Sequence, residues 1–189
     1  MRLWASAAVN AAIGVSALAA VGTQVRRSSF LRVMRYFTAL SNVFCALACL
    51  VLAACRAAGV QSQGALLLKY VGTVSVTVTL LTVFFFLIPQ FGVKSMLGGA
   101  DLWLHLLCPV AALISYFAWD RPAAPPACAL LGALPVLLYG LLYLWRTIYD
   151  RSERRWEDFY GFNRGGRWKL SFAAMIAGTL LVCAALWAL

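Results

Sequence analysis

Long apolar runs separated by short polar connectors organise this chain from end to end. Six windows, 3–23, 36–55, 70–88, 102–119, 127–145 and 170–189, carry little or no charge. At a rise of about 1.5 Å per residue, each is long enough to cross about 30 Å of hydrocarbon as a helix. The pattern predicts an all-α fold, an integral membrane bundle of six transmembrane helices forming a single domain over residues 1–189. The stretch Val74-Ser75-Val76-Thr77-Val78-Thr79 alternates with a period of two, as a strand does. A helix is predicted there, because a segment in lipid must satisfy its own backbone hydrogen bonds. The first window also fits a secretory signal, with Arg2 ahead of a small-residue run ending Ala17-Leu18-Ala19. Its length and the polar Asn10 within it favour a retained, packed helix.

Composition agrees with this pattern. Hydrophobic residues make up 63% of the chain and charged residues 12%, against about 45–50% and 25% in soluble domains. The cysteines, Cys45, Cys49, Cys55, Cys108, Cys128 and Cys183, show neither metal-ligand spacing nor a disulfide framework, and read as small buried hydrophobes. The reading therefore calls for no metal and no cofactor.

A net charge of +10 raises the possibility of a nucleic-acid partner, but the cations are distributed by connector rather than gathered in one domain. Twelve of the sixteen fall between windows one and two, three and four, or five and six: Arg26, Arg27, Arg32, Arg35, Lys94, Arg146, Arg151, Arg154, Arg155, Arg164, Arg167 and Lys169. Arg2, Arg56, Lys69 and Arg121 remain for the opposite side. The positive-inside rule then predicts basic connectors in the cytosol and both termini outside, with no role for nucleic acid. Trp103, Trp145 and Trp168 fall at the basic interface, and Trp4, Trp119 and Trp187 at the other, as aromatic belts do.

Against this apolar background two positions carry chemistry. His105 is the sole histidine and lies four residues past Asp101, inside the fourth span; Thr38 lies three residues past Arg35, inside the second. Both spans start from the basic side, which sets Thr38 and His105 at a common depth, about 5 Å below the interface. An ionisable side chain at membrane depth is a functional candidate by default. Asp101 shares a helical face with His105 and could fix its tautomer, although a plain N-cap role is the simpler reading. Pro109 removes the N–H that would bond the His105 carbonyl, predicting a kink there. Ser41 and Asn42 flank Thr38 at helical spacing as donors to an oxyanion, or as interhelical glue. The aromatic and glycine-rich stretch 158–168 precedes span six on the same side and could fold back as a lid.

At these residues the chain resembles the androgen-induced and androgen-dependent TFPI-regulating membrane proteins. The resemblance rests on Arg35-Tyr36-Phe37-Thr38, on His105 with Pro109 after it, and on the six-helix layout. Tyr36-Phe37-Thr38-Ala39-Leu40-Ser41-Asn42 is similar to the bacterial branch in particular. The resemblance implies an intramembrane threonine hydrolase of lipid (fatty acyl) esters, such as fatty acid esters of hydroxy fatty acids, with Thr38 as nucleophile and His105 as base. It also implies membrane lipids and a lipid ester as partners, and a bacterial cytoplasmic membrane as location. The alternative is a noncatalytic multi-pass protein, a small transporter or a subunit of a membrane complex, in which Asp101 and His105 line a path. Haem binding is a distant third reading, since a lone histidine needs an unusual second ligand. The oligomeric state stays open.

Overall fold

The computed structural model describes residues 2–189, Arg2 by its backbone alone, so the side of its charge lies outside the described residues. Six long apolar helices follow one another: α1 (Leu3–Arg27), α2 (Phe37–Ala57), α3 (Gln63–Phe91), α4 (Ala100–Trp119), α5 (Pro126–Tyr149) and α6 (Trp168–Ala188). Each is long and apolar enough to cross a membrane, and the protein is an all-α, multi-pass integral membrane bundle.

Small residues decide how closely these helices pack. α2 lies between α1 and α3, α4 closes against α1 and α3, and α5 and α6 pack on the outer side of α3. A Cβ on Gly14 would fall 2.9 Å from the Ala46 carbonyl, and one on Gly72 would fall 2.9 Å from the Cys45 Cα. These glycines let backbones touch where lipid offers no hydrophobic drive for association. The core they enclose is correspondingly fine-grained, with Ala17, Cys45, Ala46, Cys49, Cys108 and Ala112 all buried. The alternating stretch 74–79 is helical as predicted. Its hydroxyls turn back on their own helix, Ser75 to the Val71 carbonyl at 2.8 Å and Thr77 to the Thr73 carbonyl at 2.7 Å.

The third span starts earlier than its apolar window. Ser62 accepts a bond from the Ala65 N–H at 3.2 Å and caps α3 at Gln63, ahead of the predicted start at 70. Lys69 is therefore not a connector residue. It is fully buried, with Nζ 3.1 Å from the Cys49 sulfur. Hydropathy alone ended the window at a charge; the capped helix carries that charge inside on a long aliphatic stem.

Three helices widen into π turns, Val83–Leu87 in α3, Trp103–Leu107 in α4 and Trp145–Tyr149 in α5. All lie at the end where the three basic connectors gather. In α3 the Ile88 N–H bonds the Val83 carbonyl and Pro89 follows; in α4 the Cys108 N–H bonds the Trp103 carbonyl and Pro109 follows. Each proline deprives the carbonyl four residues back of its donor, and the extra residue in the preceding turn absorbs the mismatch. The kink predicted at His105 takes this form.

Candidate functional site

Between α2, α3, α5, α6 and the 160–164 stretch lies a cavity of about 470 Å³, within the usual range for small-ligand sites. Its deeper wall is apolar, with Val78, Val136, Met175 and Val182. The end nearest the basic connectors is polar, with Thr38, Gln90, Tyr139, Tyr143, Tyr160 and Arg164.

The roof is built around one carboxylate. Asp158 accepts from the Tyr143 hydroxyl at 2.7 Å, the Phe162 N–H at 2.8 Å and the Asn163 N–H at 2.7 Å. Tyr143 in turn accepts from the Tyr160 N–H at 3.0 Å. Phe159, Tyr160 and Phe162 pack on the buried Tyr143 ring, so the stretch folds back over the cavity as its aromatics and glycines predict. Arg164 reaches across to Gln90 at the end of α3, 2.5 Å away.

Tyr160 places its hydroxyl at the start of α2. The capping residue there, Tyr36, offers no side-chain bond, and the Phe37 N–H donates instead to the Tyr160 oxygen at 3.1 Å. Burial pushes the Tyr160 phenol up to about 12, against the backbone N–H groups of Phe37 and Thr38 that pull it down. It stays a neutral hydroxyl across the physiological range. Tyr139 fixes the approach to the same turn by donating to the Arg35 carbonyl at 2.7 Å.

Thr38 thus sits in the first turn of α2, on the cavity wall, beside the positive end of the helix dipole. Its hydroxyl makes no hydrogen bond among the described residues, whereas most span hydroxyls, including Thr73, Ser75, Thr77, Thr79, Thr147 and Thr179, return one to their own helix. Thr82, also on the wall, is likewise unbonded. A free hydroxyl in the first turn of a helix can act as a nucleophile whose oxyanion is favoured by the positive end of the helix dipole.

His105 is buried on the neighbouring turn of α4, and its Nδ1 lies 2.5 Å from the Met96 carbonyl. A carbonyl can only accept, so Nδ1 carries the proton, and in the neutral ring Nε2 is the bare nitrogen. Among the described residues His105 neither bonds Thr38 nor lines the cavity. What joins the two turns is Asn42. Its amide donates to the Thr38 carbonyl at 2.8 Å and the Leu104 carbonyl at 3.0 Å, clamping α2 to α4 one residue short of His105.

The flanking roles read from spacing are corrected by this geometry. Asp101 is not the orienting partner of His105: its carboxylate accepts from Gln24 of α1 at 2.5 Å, and Met96 takes the orienting position. Nor is Asp101 the N-cap, a position held by Gly99. Ser41 pairs with the Thr79 hydroxyl at 2.9 Å and the Thr38 carbonyl at 3.1 Å, and faces a shallow groove between α2 and α5. Ser41 and Asn42 therefore act as interhelical glue, and neither lines the cavity. Sequence reasoning missed Tyr139, Tyr143 and Gln90. The tyrosines sit four apart on one face of α5, a spacing that resembles any aromatic core stripe until the cavity is seen.

Compared with protein-family models, curated proteins and solved structures, the chain gives no match.

Proposed function

We propose that the protein is an intramembrane hydrolase of lipid esters with Thr38 as its nucleophile. One observation carries the reading: Thr38, whose hydroxyl is unbonded, lines a largely apolar cavity inside a membrane bundle, at the end where the lining turns polar. Acyl chains would occupy the apolar depth while the ester lies at the polar end. His105, in the tautomer that leaves Nε2 open, takes the Thr38 proton as the hydroxyl oxygen bonds to the ester carbonyl. The α2 N-terminus stabilises the oxyanion. Collapse breaks the ester C–O bond, the imidazolium returns its proton to the departing alcohol, and water, deprotonated by His105, releases the acyl group from Thr38. This sequence requires the two turns clamped by Asn42 to bring Nε2 within one water of the Thr38 hydroxyl when substrate is bound.

The resemblance of the Thr38 and His105 stretches to the androgen-induced family supports the same reading and names fatty acid esters of hydroxy fatty acids as substrates to assay first. The resemblance to the bacterial branch supports a bacterial cytoplasmic membrane, and the connector charges support the basic, cavity-bearing end in the cytosol.

One observation favours a second reading, a noncatalytic lipid-binding transporter or complex subunit: the His105 ring is held on the Met96 carbonyl, off the cavity wall. Treatment of the purified protein with a lipophilic serine/threonine-hydrolase probe separates the two. Covalent label at Thr38, lost in Thr38→Val and retained in part by Thr38→Ser, supports the hydrolase; an unlabelled Thr38 in folded protein removes it.

A further inference from the structure

We infer that one acyl chain of a bilayer lipid reaches the cavity sideways, through a seam between α3 and α6 that Gly178 keeps open. The inference rests on reading the cavity as a lipid site, and adds its route and a residue that controls it.

Leu81 and Phe86 of α3 and Leu170 and Gly178 of α6 line the cavity and are also exposed on the outer surface of the bundle. Phe86 is 61% and Leu170 67% exposed. A side chain belongs to both surfaces only where the wall between them is open, and on the faces of membrane-spanning helices that opening meets lipid tails. The two sides of α6 differ sharply. Toward α5 it is closed, since a Cβ on Gly140 would fall 2.5 Å from the Met175 Cε and 2.9 Å from Phe172. At Gly178, which lines the cavity and is exposed, a Cβ would meet nothing within 4 Å. No hydrophobic drive shuts such a gap in a bilayer, because a lipid chain fills it as well as a side chain does. The aqueous end of the same seam is bridged by Arg164 and Gln90 at 2.5 Å. Both residues line the cavity and are exposed, so that end is polar, and an acyl chain meets a matching apolar surface only along the lateral path.

The experiment uses the full protein in phosphatidylcholine vesicles containing a minor fraction of phosphatidylcholine with a diazirine midway along one acyl chain. After illumination, the labelled residues are mapped by peptide mass spectrometry. The parent takes label on interior wall residues such as Val136 and Met175. Gly178→Phe lowers interior labelling by about tenfold, the scale on which a hydrophobic site rejects a misfit, and Phe86→Ala raises it. Leu181→Phe, lipid-facing on the same helix but off the cavity, leaves it unchanged. Interior residues unlabelled in the parent, or labelling indifferent to both Gly178→Phe and Phe86→Ala, overturns the inference; the second variant removes bulk and stays informative if the first fails to fold. Interior label without ester turnover supports the seam while removing the hydrolase reading, and turnover without interior label does the reverse.

Discussion

The two ends of the bundle handle polar groups in opposite ways. At the end away from the basic connectors, Asp120 is fully buried and filled on both oxygens, by the Ser6 hydroxyl at 2.6 Å and the Asn10 amide at 2.7 Å. Nearby, the buried Tyr70 and Tyr116 hydroxyls donate to carbonyls of Ala129 and Leu186. That end is a packed polar core. At the basic end, three π turns interrupt the helices, the aromatic 158–164 stretch roofs the cavity, and the hydroxyls of Thr38 and Thr82 on its wall are unbonded. Burying polar groups with partners rigidifies, whereas a hydroxyl left free beside a cavity can turn to water or to a ligand. The comparison separates polar residues that hold the fold from those available for chemistry.

The largest effect expected from breaking this contrast is chemical. Thr38→Val, nearly isosteric, should abolish ester turnover and probe labelling with little change in melting temperature, while Thr38→Ser keeps a measurable rate. His105→Ala should cost several orders of magnitude in kcat with the bundle still folded, about 10²–10⁴ being the usual worth of a general base. A Thr38→Val protein that hydrolyses lipid esters at the parental rate would falsify the nucleophile assignment.

At the opposite end the same class of substitution should act on stability instead. Asp120→Ala leaves the buried Ser6 hydroxyl and Asn10 amide short of an acceptor, a loss of about 3 kcal/mol. It should be read as a lowered unfolding midpoint in detergent, with the turnover of the surviving folded fraction unchanged. Equal loss of turnover per folded molecule would show that the ends are coupled rather than distinct.

A smaller effect is expected at the roof. Asp158→Asn keeps the shape but replaces one acceptor oxygen by a donor facing N–H groups, costing about 1–2 kcal/mol locally. Limited proteolysis within 150–167 should accelerate while global melting moves little. The smallest effect belongs to Asp101→Asn. Because Met96, not Asp101, orients the His105 ring, kcat should stay within a few-fold of the parent; a large rate loss would reinstate the carboxylate as the orienting group.

Much of this architecture was readable in the chain. Six apolar windows meet the length set by hydrocarbon thickness, and the backbone in lipid has no alternative but the helix, which is why even 74–79 yielded to the rule. Pro109 announced the disturbance around His105, because a missing N–H is a covalent fact that every fold must accommodate. The depth of Thr38 was likewise legible, since it needs only the start of a span and the helical rise.

Tertiary structure alone decided the partners. Spacing put Asp101 on the face of His105 and Ser41 and Asn42 beside Thr38, but a helix carries several polar groups on one face. Which of them meet depends on how neighbouring helices rotate about their axes, and here Gln24, Thr79 and Leu104 claimed them. The start of α3 and the burial of Lys69 depended on a cap and a thiol that hydropathy does not weigh. The cavity itself is a gap between elements distant along the chain, lined from α2, α3, α5, α6 and the 160–164 stretch. Sequence determines what each segment must become in lipid; only packing determines which surfaces are left without a neighbour.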